Sequence, residues 1–438
     1  MSAAARPARP ADGTPSVTGG PPATPSCGDF CRWLTEAVRP LTIPAMDPRT
    51  WLPDVTGHPR RLVEALRLSG PATRAQLVEQ TGLSRATVSG YVADLVDRGL
   101  VTPADPADAR PTGGRPAGLV RLTRRAGVVV GVDIGRTHVR VAVADLSHEV
   151  VGEHVAELPV ADLRADAVLD TVAARVRDEL QRVGACTGDV VGTVVGLPTP
   201  VVSSAVAPQG TVAQANILPS WSGSTPAVEL RERLGVPVVV DNDANLGALA
   251  EVRWGAGRGS RFTVYLKMAT GVGGALVVDG SLLRGVSGTA GEIGHVSLDP
   301  GGDLCRCGNR GCLELTAGGS ALLQAVRTAA PQYGDLRTLV TGAVDGDQAC
   351  RRLIADAGTS VGVVLGGLVN TLNPDRVVVG GELGTAGDLL VDPLRRALAR
   401  TAIPAAVEHL SVVPGSLGGR AEVLGALAVA LREADRLG

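Results

Sequence analysis

Aromatic side chains are scarce, only 2% of 438 residues. That is too few for the stacking platforms that grip single-stranded nucleic acids or bare sugar rings, so any ligand must be held by hydrogen bonds. Long apolar runs are also missing. The two longest uncharged stretches, Val190–Pro208 and Ala357–Pro374, are broken by Pro, Gly, Ser, Thr and Asn, which a membrane span of about 20 apolar residues disfavours. No transmembrane helix and no membrane partner are expected. Arg6 and Arg9 are not followed by the apolar core of a secretory signal, so the expected location is cytoplasmic. Seven cysteines are too few for a disulfide framework in a chain of this length, and three of them crowd together as Cys305, Cys307 and Cys312, which points to a metal. Lysine is almost absent. Lys267 is the single lysine among 42 basic residues, a bias that reads as a GC-rich genome rather than as function.

What is present, 45% hydrophobic and 20% charged residues, suffices for a sizeable core in two or three domains. The charge is uneven. Residues 57–125 carry eleven Arg against six acids, so a polyanion would bind there. Residues 1–56, rich in Ala, Pro, Gly, Ser and Thr without periodicity, read as a disordered arm. Met46 stands just before the first folded segment, and both Met1 and Met46 remain open as the start.

In residues 57–125 the pattern predicts three short helices and a hairpin. The first runs from about Pro59 to Leu68 with Leu62, Val63 and Leu66 on one face. The second opens at Thr73 with Gln76 completing a capping box. The third is capped by Ser84, runs to Arg98 and ends at Gly99, with Val88, Val92 and Leu95 turned inward. Its outer face is small and uncharged at Ala86, Gly90 and Ala93, flanked by Arg85, Thr87 and Ser89. Such a face suits close approach to the major groove. Strands Leu100–Thr102 and Leu119–Leu122 flank the tip Gly113-Gly114-Arg115-Pro116, a wing whose Arg115, held by Gly114 and Pro116, reaches a minor groove or a phosphate. The expected partner is duplex DNA, read by a homo-oligomer (dimer or tetramer) on a palindromic operator.

From 126 to 438 valine-rich strands alternate with amphipathic helices, an α/β pattern. A strand-turn-strand at Val128–Val143 and another at Phe262–Gly280 read as a duplicated fold with a cleft between two lobes. Asp133, Gly135 and Thr137 end the first strand with a carboxylate, a turn and a hydroxyl, suited to phosphate oxygens and a metal-bound water. Thr270-Gly271-Val272-Gly273-Gly274 supplies a second phosphate loop, and Gly380-Gly381 a turn for an adenosine. Asp241-Asn242-Asp243 follows the strand Val236–Val240 and precedes a helix. A carboxylate there can take a proton from a sugar hydroxyl, while helix capping by Asp241 or Asn242 is the alternative. The strongest signal is Gly291-Glu292-Ile293-Gly294-His295 followed by Cys305-Arg306-Cys307-Gly308-Asn309-Arg310-Gly311-Cys312-Leu313-Glu314. Three thiolates and one imidazole complete a closed, structural zinc site. The free nitrogen of His295 is then a fixed donor, with Glu292 and Glu314 as acceptors beside it.

Together these motifs resemble the ROK family of repressors and sugar kinases across nearly all of residues 57–438. The resemblance implies an N-terminal winged helix-turn-helix and a two-lobed, actin-like sugar-kinase-type domain. It implies zinc at His295, Cys305, Cys307 and Cys312, and sugar contacts from Asn242, Asp243, Glu292, His295 and Glu314. In family kinases the residue at Asp243 is the general base. The phosphate loops correspond to Asp133, Gly135, Thr137 and Gly271–Gly274, and the adenosine turn to Gly380 and Gly381.

Four departures fall on the ATP side. Arg136 stands for a Gly, His138 for the usual Lys, Thr199 interrupts a Pro-Gly-Pro, and Val201 and Val202 occupy the place of an Asp. The expected function is a sugar-responsive transcriptional regulator, a repressor of carbohydrate-metabolism genes, whose effector is a sugar or sugar phosphate. The alternative is an ATP-dependent sugar kinase with an accessory DNA-binding module, which would need ATP and Mg and would use Asp243 catalytically.

Overall fold

The computed structural model describes residues 58–104, 118–202, 211–212, 218–221 and 223–436. The expected disordered arm (1–56) and the wing tip with Gly114, Arg115 and Pro116 lie outside the described residues.

The N-terminal unit follows its caps. Helix α1 (His58–Ser69) leads through strand β1 (Ala72–Thr73) to α2 (Arg74–Thr81). At its start Thr73 and Gln76 form the reciprocal capping box, and Gly82 closes it in the left-handed conformation. Ser84 accepts from Thr87 N to start α3 (Arg85–Asp97). Val88, Val92 and Leu95 are fully buried against Leu62, Val63, Leu66 and Leu77. Strands β2 (Val101–Ala104) and β3 (Leu119–Leu122) pair antiparallel. The two-residue β1 adds a third strand on the far side of β3, an element the sequence reading did not contain.

The rest is built twice on one plan. The first sheet comprises β4 (Val128–Ile134), β5 (His138–Asp145), β6 (Val150–Glu157), β7 (Val190–Leu197) and, after helices α4 (Ala165–Arg182) and α5 (Pro226–Leu234), β10 (Val238–Asn242). A short ribbon of β8 (Val201–Val202) and β9 (Thr211–Val212) intervenes. Helix α6 (Asp243–Trp254) follows β10. The second sheet comprises β11 (Phe262–Met268), β12 (Val272–Val278), β13 (Ser281–Leu282), β14 (Arg376–Gly380) and β15 (Ser411–Pro414), with helices α7 (Gly319–Ala329), α8 (Leu336–Asp345), α9 (Gln348–Leu372) and α10 (Asp388–Thr401) between its strands, and α11 (Ala421–Arg436) closing the chain. In each sheet the first two strands form an antiparallel hairpin, the third extends it, and the fourth and fifth add in parallel on the other side of the first. The near-repeat read from the valine-rich strands is thus a repeat of topology.

Alternation along β4 separates two faces. Val128, Val130 and Val132 pack under α4, and Val129 packs with Leu427 of α11. The C-terminal helix therefore belongs to the first lobe. It approaches α6 so closely that a Cβ on Gly425 would lie 1.9 Å from Leu246 O. By length and composition α9 is the one described helix apolar enough to cross a membrane. Its interruptions have a packing purpose: a Cβ on Gly358 or Gly362 would lie 2.3 Å from a backbone oxygen of α10.

Candidate functional site: a cleft between two lobes

Strand β10 extends two residues beyond the expected end, to Asn242, and α6 begins at Asp243. This decides what the acidic segment does locally. Asn242 is the N-cap: its side-chain oxygen accepts from Ala244 N and Asn245 N, and its amide donates to Thr199 O at 3.2 Å. The capping alternative is therefore realised at Asn242, and Thr199, one of the departures, is what holds its amide. Asp241 is tied down by the bidentate guanidinium of Arg284, at 2.9 and 2.7 Å, and by Asn245. That pair joins the end of the first sheet to the segment just after β13.

Asp243 is almost fully buried. Ala244 N donates to its Oδ1 at 2.7 Å and Lys267 Nζ to its Oδ2 at 2.8 Å. Burial pushes its carboxyl above the usual range, against the pull of Lys267. Lys267 stands on β11 of the second lobe, and its ammonium also lies 3.0 Å from Glu422 Oε1 of α11. That second contact lacks hydrogen-bond alignment and is Coulombic. Burial opposes the ammonium, but Asp243, Glu422 and Asp133 outweigh it and raise its pKa well above the ordinary lysine value. Lys267 and Glu422 were missed from the sequence. The signal available for the first was a lone charge inside an apolar strand; Glu422, far along the chain, gave none.

The first turn is covered by its own side chains. His138 Nε2 lies 3.0 Å from Asp133 Oδ2, and since a carboxylate only accepts, the ring donates. A Cβ on Gly135 would fall 2.3 Å from that ring. Burial opposes the charged ring, but Asp133 prevails and raises its pKa. Asp133 Oδ1 is buried with no hydrogen-bond partner among the described residues. Thr137 is exposed, and Arg136 is partly buried within the field of Arg306, Glu314 and Asp162.

The corresponding turn of the second lobe, Thr270–Gly274, is covered at its glycines by groups from other segments. Val272 N donates to Glu314 Oε2 at 3.1 Å, and a Cβ on Gly271 would lie 2.2 Å from that oxygen. Gly273 faces Ala244, and Gly274 lies against Gly291 O. Arg306 pairs with the other oxygen of Glu314. Burial, then Asp243 and Glu314, push the Glu292 carboxyl up to about 7. Asp243, Glu292 and Glu314 therefore converge electrostatically on one cleft, with His295 in the field of Glu314. Gly380 and Gly381 sit at the end of β14 against Tyr265 and Met268 of β11, a packing reason of their own.

His295, Cys305, Cys307 and Cys312 present ligand atoms that all lie within 4.8 Å of one another. The contacts Cys305 Sγ to His295 Nδ1 and Cys307 Sγ to Cys312 Sγ are both 3.6 Å. Tetrahedral coordination by sulfur at about 2.3 Å and nitrogen at about 2.0 Å requires ligand separations of this size. The group fits a metal ion through Nδ1 of His295. The loop turns tightly at Gly311, where φ is +59° and a Cβ would meet Asp299 O at 1.7 Å.

Residues 129–433 match the ROK family, and residues 54–111 match the MarR family. The chain belongs to the ROK family. It is 28% identical over 375 residues to a putative xylose repressor of Caldicellulosiruptor sp. (strain Rt8B.4), covering 82% of this chain and 92% of that one. Among solved structures it is similar to a ROK family transcriptional regulator, a homolog of the E. coli MLC protein, with a TM-score of 0.63 at 26% identity over 87% of this chain and 98% of that one. A ROK family glucokinase from Streptomyces griseus, in complex with glucose and AMPPNP, matches with a TM-score of 0.62 at 29% identity, covering 70% of this chain and 100% of that one. The whole glucokinase is thus accounted for by the two-lobed part, whereas both regulators extend over more of this ROK protein. The actin-like, sugar-kinase-type fold and the N-terminal winged helix both follow.

Proposed function

We propose that this ROK protein is a sugar-responsive DNA-binding transcriptional regulator, a repressor of genes for carbohydrate use. One observation carries the reading: a capped, rigidly packed α3 whose outer residues Arg85, Ala86, Ser89, Gly90 and Ala93 are all exposed, joined to a cleft lined by carboxylates. Thr87, half-buried, bonds to the capping Ser84. The small outer face admits close approach to base edges. Arg115 at the wing tip is assigned to a groove or phosphate contact, flanked by Gly114 and Pro116. The unit is anchored to the first lobe: Arg124 donates to Val183 O, and Arg121 pairs with Glu149. Lobe closure on a sugar would thereby reach the DNA-binding surface. If the protein pairs two-fold, a palindromic operator follows, with half-sites about one helical turn or a multiple apart.

In the cleft, Glu292 and Glu314 accept from sugar hydroxyls, His295 donates through Nε2, and Asp243 and Asn242 border the same pocket. Three thiolates and an imidazole suit zinc, and a zinc ion held by His295, Cys305, Cys307 and Cys312 would fix the His295 ring and the loop carrying Glu314. The effector class is an aldose. Xylose, the sugar in the relative's name, is the first to test. The test is binding of the protein to duplexes from its own upstream region, with and without a panel of sugars. Sugar-sensitive binding is expected; sequence-independent binding that no sugar alters would refute the reading. The retained carboxylate at Asp243 favours a second reading, sugar phosphorylation, which an ATP turnover assay addresses.

A further inference from the structure

Lys267 is the only lysine of the chain, and it is spent in the interior, where an ammonium is costly unless carboxylates surround it. Its Nζ lies 2.8 Å from Asp243 Oδ2 and 3.0 Å from Glu422 Oε1. Asp133 contributes to the same field from the first lobe. All three acids are at most 6% exposed. A divalent cation for phosphoryl transfer is held by one or two carboxylates together with the substrate's phosphates, and at this end of the cleft the ammonium already stands among the carboxylates. The remaining oxygen of Asp243 accepts from Ala244 N, so the ammonium and a backbone amide both stabilise the ionised carboxylate and oppose its taking a sugar proton. One oxygen of Asp133, Oδ2, is engaged by His138.

We propose that Lys267 is a built-in cation that takes the place of a divalent metal among Asp133, Asp243 and Glu422 and keeps the Asp243 carboxylate from acting as a base, so that the cleft binds a sugar without phosphorylating it. This rests on the regulator reading and names the residue that separates it from a kinase. Lys267 acts through Asp243 and is a positioning residue. Removing the ammonium leaves Asp243 and Glu422 without their cation, beside an Asp133 that still holds His138, a set of hard oxygen ligands suited to Mg2+ or Mn2+.

The test is a Mn2+ titration of the full-length, zinc-replete protein, followed by electron paramagnetic resonance with no sugar, nucleotide or DNA present. The parent is expected to bind no Mn2+ in the cleft. Lys267→Ala is expected to gain one site per chain, lost again when Asp133→Asn is added. Should Lys267→Ala fold poorly, Lys267→Ala with Glu422→Gln removes one acid along with the ammonium, and a weaker gain of the same site is expected. A parent that binds Mn2+ at a site abolished by Asp133→Asn, or folded Lys267 variants that gain no site, would overturn the proposal. Because DNA is absent, failure here is distinct from failure of the regulator reading, which operator binding decides.

Discussion

The turn after β4 and the turn after β11 occupy the same place in two sheets of the same strand order, yet they have been put to opposite uses. In the first, Gly135 lies beneath the ring of His138, which is bonded to Asp133. In the second, Gly271 lies beneath the carboxylate of Glu314, which is pinned by Val272 N and Arg306. One turn is covered by an imidazole from its own hairpin; the other is covered by a carboxylate from a distant segment. Duplicated topology therefore fixes where a turn stands, while one or two side chains decide whether it receives a ligand.

The largest effect on the second turn should come from its metal loop. Cys307→Ser exchanges a thiolate for a harder, less readily deprotonated ligand. Zinc content by elemental analysis should fall, and sugar affinity by calorimetry should drop tenfold or more, on the order of the loss seen for residues that orient metal ligands. A variant that loses its metal yet binds sugar like the parent would separate the two.

The comparison breaks most directly at the paired glycines. Gly271→Ala places a methyl group against Glu314 and should weaken sugar binding by about 1–2 kcal/mol, the usual cost of displacing a buried hydrogen-bonded group. Gly135→Ala displaces only His138 and should leave sugar affinity within about 0.5 kcal/mol of the parent. Equal losses would mean that both turns contact the sugar.

Glu292 gives a pH test. Its folded pKa, about 7, lies above the ordinary glutamate value, so the native state binds this proton more tightly than the unfolded one. The associated stability is present at low pH and is lost as pH rises between the two values. Glu292→Gln should therefore stabilise the sugar-free protein at pH 8 by about 1 kcal/mol, after allowance for solvent screening, and have little effect at pH 4. Thermal unfolding at the two pH values measures it. The smallest change concerns DNA: Arg85→Ala should reduce the slope of log affinity against log salt by about 1, as loss of one phosphate contact does.

What could be read in advance was local. Caps at Thr73 and Ser84, the inward row Val88, Val92 and Leu95, and the Cys-His spacing each depend on neighbours a few residues away. The two-residue β1 escaped notice because nothing in Ala72–Thr73 marks a strand except its pairing with β3. The cap at Asn242 was weighed as an alternative to a sugar contact, and one side chain's oxygen has taken the cap. Lys267 stands out in the sequence only as a lone lysine, which a GC-rich genome explains. Its meaning needs Asp243 and Glu422, which only the fold brings to it from the first lobe and the C-terminal helix. Arg136 and His138 were recognised as departures, but that His138 covers Gly135 is a tertiary fact.

The central claim is that the cleft senses a sugar for the winged helix instead of consuming it. The most direct measurement titrates sugar into one sample of the full-length protein with a labelled upstream duplex, ATP and Mg2+, following fluorescence anisotropy and ADP release together. The account predicts that anisotropy changes with sugar while ADP does not accumulate. Sugar-dependent ADP release with no change in DNA binding would contradict it.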